Sequence, residues 1–213
     1  MRRVALIDYG SGNLPSAEKA LRRAAETLGG ATIVSTDDPD LIVAADAIVL
    51  PGVGAFAACM AALQARSGVV QAISEAVRVR GVPFLGICVG MQLLAERSHE
   101  FGLAEGLGWI EGDVRRLQPA GRMHKVPHMG WNSLDGPLCG PLMTGFEAGE
   151  HMYFTHAFAL HPVDRDCVSA TTDHGGRFVS AVTSGNLAGV QFHPEKSQGA
   201  GARLLRNFLE WRP

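Results

Sequence analysis

The chain has 213 residues, 46% of them hydrophobic and 19% charged, with a formal net charge of −2; this suits one α/β domain with a full core, which we expect to span residues 1–213. The small net charge excludes the strongly basic surfaces that bind nucleic acids or anionic membranes, and no apolar run approaches the roughly 18 residues of a membrane-spanning helix. No leader peptide is recognisable and the four cysteines are scattered without a C-x-x-C pair, so we expect a cytoplasmic protein without a metal centre or cofactor.

The first half of the chain alternates apolar strands with helices. Strands are expected at residues 3–8, 32–35, 47–50 and 83–87, and helices from about Pro15 to Leu28, at 55–64 and at 69–80. The first helix has an apolar stripe formed by Ala17, Ala20, Leu21, Ala24 and Leu28. Near-continuous apolar strands separated by helices indicate a parallel sheet that is covered on both faces.

After about residue 105, turn-forming residues punctuate shorter segments. Examples of such segments are 109–114 and 152–155. Two or three short strands are expected between 167 and 192, and a final helix at about 200–211. No repeat or long linker divides the chain. We therefore predict an α/β fold whose mostly parallel central sheet gains antiparallel strands in the second half.

A nucleophile elbow is predicted at residues 84–92, Phe-Leu-Gly-Ile-Cys-Val-Gly-Met-Gln. Gly86 and Gly90 lie two positions before and after Cys88, in the G-x-nucleophile-x-G arrangement of α/β-hydrolases. The thiol would stand at a helix N-terminus, which favours a thiolate. The alternative is that Cys88 is a small hydrophobic residue packed in the core.

A base for this thiol is expected at His193, where an apolar strand ends. Glu195 follows two residues later and, on an extended chain, points the same way, so that it can orient the imidazole. Pro194 favours extended backbone at the residue before it. A surface histidine at a strand end is the alternative, but together with the elbow the pattern predicts a Cys88–His193–Glu195 triad.

A glycine-rich loop, Pro51-Gly52-Val53-Gly54, follows the strand that we expect beside the one bearing Cys88. Backbone N–H groups of Val53 and Val89 would then form an oxyanion hole, unless the loop is only a tight strand-to-helix turn. A second unusual segment, 124–132, concentrates histidine, lysine and tryptophan. It lacks the helical spacing of a metal pair, so we expect a recognition loop there.

These segments together resemble the class I (triad) glutamine amidotransferases, and within them the glutaminase subunits of imidazole glycerol phosphate synthase. The matching stretches are residues 8–14, 50–56, 86–94, 106–110, 124–132 and 191–197, in family order along nearly the whole chain. Two departures are Val89, where leucine is usual, and Thr155-His156-Ala157-Phe158, where Val-His-Ser-Tyr is commoner. The second departure affects packing near the site rather than the triad.

The resemblance implies a three-layer, flavodoxin-like fold and hydrolysis of glutamine by a cysteine nucleophile. It assigns catalysis to Cys88, His193 and Glu195, the oxyanion hole to Val53 and Val89, and glutamine binding to Gly54, Gln92 and Glu100. It implies no cofactor. The ammonia would pass to a partner, a (β/α)8-barrel cyclase that makes imidazole glycerol phosphate and an aminoimidazole carboxamide ribonucleotide in histidine biosynthesis.

The implied heterodimer interface includes Asn13, Trp131, Tyr153 and Lys196. The family also suggests that the Val53 peptide is turned away at rest and flips when the partner binds its ligand, which the neighbouring glycines make sterically cheap. Three alternatives remain: an amidotransferase of another pathway, a stand-alone cysteine hydrolase of similar fold, and a catalytically inactive binding module.

Overall fold

A computed structural model describes residues 2–121 and 123–213. Its first half contains β1 (Arg2–Ile7), α1 (Leu14–Thr27), β2 (Ala31–Thr36), α2 (Pro39–Val43), β3 (Ala47–Gly52), α3 (Phe56–Gln64), α4 (Val69–Ser74), β4 (Phe84–Cys88) and α5 (Val89–Gln92). The predicted strands are confirmed to within a few residues. The helix predicted at 69–80 changes to a π-helical turn over Glu75–Val79, and the short α2 was not predicted.

The second half is mainly β. It contains β5 (Ala95–Ser98), β6 (Ala104–Glu105), β7 (Ile110–Arg116), β8 (His128–Ser133), β9 (His151–His156), β10 (Phe158–Pro162), β11 (Val168–Asp173), β12 (Arg177–Ser184), β13 (Leu187–Val190) and α6 (Gln198–Glu210). Two 3-10 turns, Pro141–Met143 and Pro194–Lys196, interrupt the loops. The strands predicted between 167 and 192 and the final helix are confirmed.

The central sheet has seven strands in the order β11-β12-β13-β4-β3-β1-β2. The pairs from β13 to β2 are parallel, and β11 and β12 are added antiparallel. As predicted, β3 lies beside β4, with Gly52 opposite Cys88. Because β13 flanks β4 on its other side, the carboxyl ends of three neighbouring strands meet at one edge, the usual place for a site in an open α/β sheet.

The predicted α/β fold, with a mostly parallel central sheet and added antiparallel strands, is confirmed. The remaining strands form two separate sheets, which were not predicted. One has the order β10-β7-β5-β6, and the other is the antiparallel ribbon of β8 and β9. The alternation of apolar and polar residues along a strand predicts which face of the strand is buried. It does not predict which distant strand pairs with it. The β8–β9 ribbon joins residues 128–133 to 151–156 and lies next to the functional site described below.

Helices cover the central sheet, and α1 packs against α6 beside it. The apolar stripe predicted for α1 is buried at Ala17, Leu21 and Ala24, whereas Leu28 lies beyond the helix and is partly exposed. Among the described residues, no single helix has the length and apolar character of a membrane span; α3 taken together with the segment 69–79 meets those criteria only as a pair bent by 97°.

Candidate active site

The nucleophile elbow is present at the junction of β4 and α5. Cys88 is buried and has φ 56° and ψ −109°, a strained combination for a residue with a side chain. The flanking glycines allow it: a Cβ atom on Gly86 would lie 2.4 Å from the Gly90 oxygen, and one on Gly90 would lie 1.9 Å from the Leu50 oxygen. These contacts explain why both positions are glycine.

His193 lies at the end of the segment that follows β13 and faces Cys88. Its Nδ1 is 2.8 Å from Oε1 of Glu195, and both side chains are only 4% exposed. His193 is extended, as Pro194 predicts, but Glu195 lies in the 3-10 turn rather than on extended chain. The expected contact therefore forms with a different backbone geometry, because the chain turns sharply at the proline.

The charge of His193 follows from its two neighbours. Burial alone would lower the pKa of His193, but hydrogen bonds with Cys88 and Glu195, together with the charges of both groups, raise it to about 10. The imidazole is thus a cation at neutral pH. A cation beside a cysteine favours the thiolate, the nucleophilic form of the side chain.

Side chains from the loop after β1 and from α3 hold the glycine-rich loop that follows β3. The buried Tyr9 hydroxyl donates to the Pro51 oxygen at 2.8 Å. Ser11 Oγ and Cys59 Sγ both donate to the Val53 oxygen, at 3.0 and 3.2 Å. These bonds fix the Val53 carbonyl, so that any reorientation of the Val53 N–H involves the preceding Gly52–Val53 peptide.

A cavity of about 260 Å³ opens above the elbow. It is lined by Val53, Gly54, Cys88, Val89, Gln92, Glu100, Thr155, His156, Ala157, Phe158, His193 and Lys196. The structure thus brings together every residue predicted for the oxyanion hole and for glutamine binding, with Glu195 behind the histidine. The volume suits a ligand of amino-acid size.

A buried amide pair beside the thiol was missed by the sequence analysis. Gln92 Nε2 donates to the Phe158 oxygen at 2.9 Å and to Gln191 Oε1 at 3.0 Å. Gln191 Nε2 in turn donates to Cys88 Sγ at 3.7 Å. Because the Nε2 hydrogens of Gln92 are committed, a contact of Gln92 with a ligand would use its Oε1. The position of Gln191, two residues before His193, was the only available signal.

Glu100 has a structural contact as well as a place in the cavity wall. Its Oε2 accepts the backbone N–H of Phe56 at 2.7 Å and so satisfies a free donor at the start of α3. The carboxylate is therefore anchored at one oxygen, leaving the other for a cationic group of a ligand.

An aromatic patch, formed by Trp131, Tyr153 and Lys196, adjoins the cavity. The Trp131 and Tyr153 rings meet edge to face at 5.9 Å, and Lys196 Nζ lies 5.7 Å from the Tyr153 ring centre. Trp131 is 46% exposed. Lys196 also lines the cavity, so the patch reaches its mouth. Asn13, the fourth predicted interface residue, belongs to another element, directly before α1.

Two buried histidines, His128 and His156, lie across the β8–β9 ribbon from each other, next to the cavity. Burial, together with the charges of the nearby His174 and His124, lowers the pKa of His128 to about 4. Burial also lowers the pKa of His156 to about 3, although its bond to a backbone oxygen opposes this. Both rings are therefore neutral at pH 7. Among the described residues, no group of histidine, cysteine and carboxylate side chains is arranged to hold a metal ion.

These histidines predict a loss of stability in mild acid. Because their folded pKa values lie below the usual 6.5, the unfolded chain takes up protons first, and their stabilisation is present above pH 6.5 and lost as the pH falls towards 4. Each would remove about 1–2 kcal/mol by pH 5. The raised pKa of His193 opposes this loss above pH 6.5, where its own contribution still grows as the pH falls, but that contribution is complete below pH 6.5. The net fall in stability is therefore expected between pH 6.5 and 5.

The measurement is urea unfolding of the wild type and of His156→Asn between pH 7.5 and 5. The wild-type free energy of unfolding should fall with pH, and the variant should show a shallower slope. Equal slopes for the two proteins would show that His156 is not the buried neutral group described above.

The profile of the family described as glutamine amidotransferase class-I matches residues 5–211. A solved glutamine amidotransferase has a TM-score of 0.71 with 22% identity over 97% of both chains. The glutaminase domain of Trypanosoma brucei CTPS, solved with bound acivicin, has a TM-score of 0.70 at 19% identity, over 98% of this chain and 92% of that one. These two share the fold. The chain belongs to the class-I glutamine amidotransferase family.

Proteins with similar sequences show to which group within this family the chain belongs. The imidazole glycerol phosphate synthase subunit HisH of Caulobacter vibrioides is 57% identical over 214 residues, which cover 100% of both chains. The protein of the same name from Rhodospirillum rubrum is 53% identical over 99% of this chain and 100% of its own. Within the class, the chain belongs with the HisH subunits.

Proposed function

We propose that this chain hydrolyses glutamine to glutamate and ammonia through a Cys88–His193–Glu195 triad. The observation that carries this is the buried array of nucleophile, imidazolium and carboxylate at the floor of an amino-acid-sized cavity. The Cys88 thiolate attacks the amide carbon, and His193 gives its proton to the departing ammonia. Neutral His193 then takes a proton from water, the hydroxide attacks the thioester carbon, and Cys88 leaves as thiolate, which releases glutamate and restores the thiolate–imidazolium pair.

The rest of the cavity has matching roles in this proposal. The N–H groups of Val53 and Val89 bind the oxyanion. Gly54 and Gln92 contact the glutamine side chain or backbone, and Glu100 binds its ammonium group through the oxygen that is not anchored to α3. Because the Val53 carbonyl is fixed, the flip proposed on partner binding would rotate the Gly52–Val53 peptide.

The ammonia passes to a (β/α)8-barrel cyclase, which completes imidazole glycerol phosphate synthase as a heterodimer in the cytoplasm. Ammonia released into water would become protonated and unreactive, so a partner must cover the cavity mouth. The aromatic patch supports this, because Lys196 belongs both to it and to the mouth. An exposed tryptophan beside a tyrosine is typical of an interface centre.

The test is an assay of glutaminase activity with and without the histidine-pathway cyclase from the same source. We expect little glutaminase turnover by the isolated chain. The activity should rise at least about tenfold when the cyclase and its ribonucleotide ligand are added, because the glutaminase site and the ligand site of the cyclase would be energetically coupled. Absence of any rise would contradict the assignment. High turnover by the isolated chain would favour a stand-alone hydrolase.

A further inference from the structure

A continuous chain of hydrogen bonds runs from the β8–β9 ribbon to the cavity wall. Asn132 Nδ2 lies 3.2 Å from His128 Nε2, and His128 Nδ1 lies 3.1 Å from His156 Nε2. His156 Nδ1 then lies 2.9 Å from the Phe158 oxygen. This is the carbonyl that also accepts Gln92 Nε2, in the wall facing Cys88.

The groups at both ends of this series of hydrogen bonds fix the same direction of donation along it. At one end, Asn132 Oδ1 accepts the Ser133 N–H and Nδ2 donates to the Asp173 oxygen, so Nδ2 is the atom that faces His128 and it must donate. At the other end a carbonyl can only accept, so His156 Nδ1 carries the hydrogen. His128 therefore donates from Nδ1 to His156 Nε2. Each ring is neutral, with one defined tautomer, as burial requires.

We propose that His128 and His156 are positioning residues for glutamine, because their relay from Asn132 holds the Phe158 carbonyl and with it the cavity wall formed by Thr155, His156, Ala157 and Phe158. This inference depends on the proposed function. The wall comprises the last residues of β9, the linking Ala157 and the first residue of β10. The Leu117 N–H holds the Ala157 oxygen at 2.9 Å, and the bonds from His156 and Gln92 hold the Phe158 oxygen.

The two histidines have different parts in this relay. His156 makes the bond to the wall, whereas His128 selects the tautomer of His156 that can make it. Without a donor at His128, the His156 hydrogen is free to move to Nε2, and the Phe158 oxygen then loses the bond from His156 while keeping that from Gln92. Cys88 Sγ donates to the Thr155 oxygen of the wall at 3.9 Å, whereas the relay acts on the Phe158 oxygen at the other end of the wall. The relay should therefore affect recognition of glutamine more than the reactivity of Cys88.

The chain offers matched variants for each step. His156→Leu removes the bond to Phe158, whereas His156→Asn keeps a donor at the position of Nδ1. Likewise, His128→Leu removes the donor to His156, and His128→Asn retains it. Phe178→Leu trims a ring that packs on both histidines, at 5.6 and 4.9 Å, without touching the hydrogen bonds, and so serves as the packing control.

The experiment measures inactivation of the complex with the cyclase by two reagents that alkylate Cys88: 6-diazo-5-oxo-L-norleucine, which must be recognised as glutamine, and iodoacetamide, which need not be. We expect both leucine variants to slow the first reagent and to raise KM for glutamine about tenfold, the scale of one buried hydrogen bond, with iodoacetamide rates within about twofold of wild type. Both asparagine variants and Phe178→Leu should stay within about threefold of wild type for both reagents.

Equal rates for the leucine variants and the wild type with the glutamine analogue would overturn the relay, and so would equal slowing by both reagents, which indicates general damage to the site. Failure of both asparagine variants to restore the rate would also overturn it. If the wild type itself does not react with the analogue, the proposed function fails and the inference fails with it. Ammonia-dependent synthesis by each complex verifies folding and docking, and the His128 pair of variants keeps the test decisive if His156→Leu does not fold.

Discussion

Replacement of Cys88 by alanine is expected to reduce glutamine-dependent synthesis by the complex at least about a thousandfold, while synthesis from added ammonia continues. The sulfur is the only group placed at the elbow to form the acyl intermediate, with His193 and Gln191 arranged around it. Ammonia supplied from solution bypasses this step. The measurement is product formation by the reconstituted complex with each nitrogen donor at saturating concentration.

A matched control separates loss of the nucleophile from loss of a cysteine. Cys139 is exposed and free, so Cys139→Ala should leave both activities unchanged. Loss of both activities in Cys88→Ala, with the control unaffected, would mean that Cys88 is structural and that the triad reading is wrong. Retention of glutamine use would require another nucleophile in the cavity.

Much of this site was predictable because the residues that indicate it lie close together in the sequence. The elbow needs glycines two positions before and after the nucleophile, and both are required by contacts of less than 2.5 Å that a Cβ atom would make. The base and its carboxylate are separated by one proline, so His193 and Glu195 were predicted from spacing alone. The adjacency of β3 and β4 followed from the order of apolar strands, which in a parallel sheet brings their carboxyl ends to one edge.

The rest depends on contacts between residues far apart in the chain. The His128–His156 bond joins residues 28 positions apart, and Gln92 and Gln191 are 99 apart. The periodic pattern of apolar residues along a sequence does not indicate such distant pairs. The separation of the β8–β9 ribbon from the main sheet was missed for the same reason. The segment 124–132 is one of the stretches that match the family, and the structure supplies a physical role for it. One face of its strand carries Trp131 and the other carries the relay.

The second large effect concerns the fold of the elbow. Gly90→Ala is expected to destabilise the protein by about 3 kcal/mol or more, because the added methyl group would overlap backbone in a close-packed core. The new Cβ would lie 1.9 Å from the Leu50 oxygen and 2.9 Å from the Leu50 carbon. Leu50 is fully buried in β3 and pairs with Gly86 in β4, so neither strand can retreat without breaking the ladder that places Cys88.

The measurement is urea unfolding of Gly90→Ala beside Gly199→Ala, the same substitution at an exposed position in α6. At Gly199 a Cβ atom meets nothing within 4 Å, so alanine should be neutral or stabilise by up to about 1 kcal/mol through its higher helix propensity. The difference between the two variants isolates the steric cost at the elbow from the general effect of replacing glycine. A Gly90→Ala protein within about 1 kcal/mol of wild type would show that α5 can shift away from β3. Such a shift would carry the strained Cys88 backbone with it, and the rigid elbow on which the attack geometry depends would have to be abandoned.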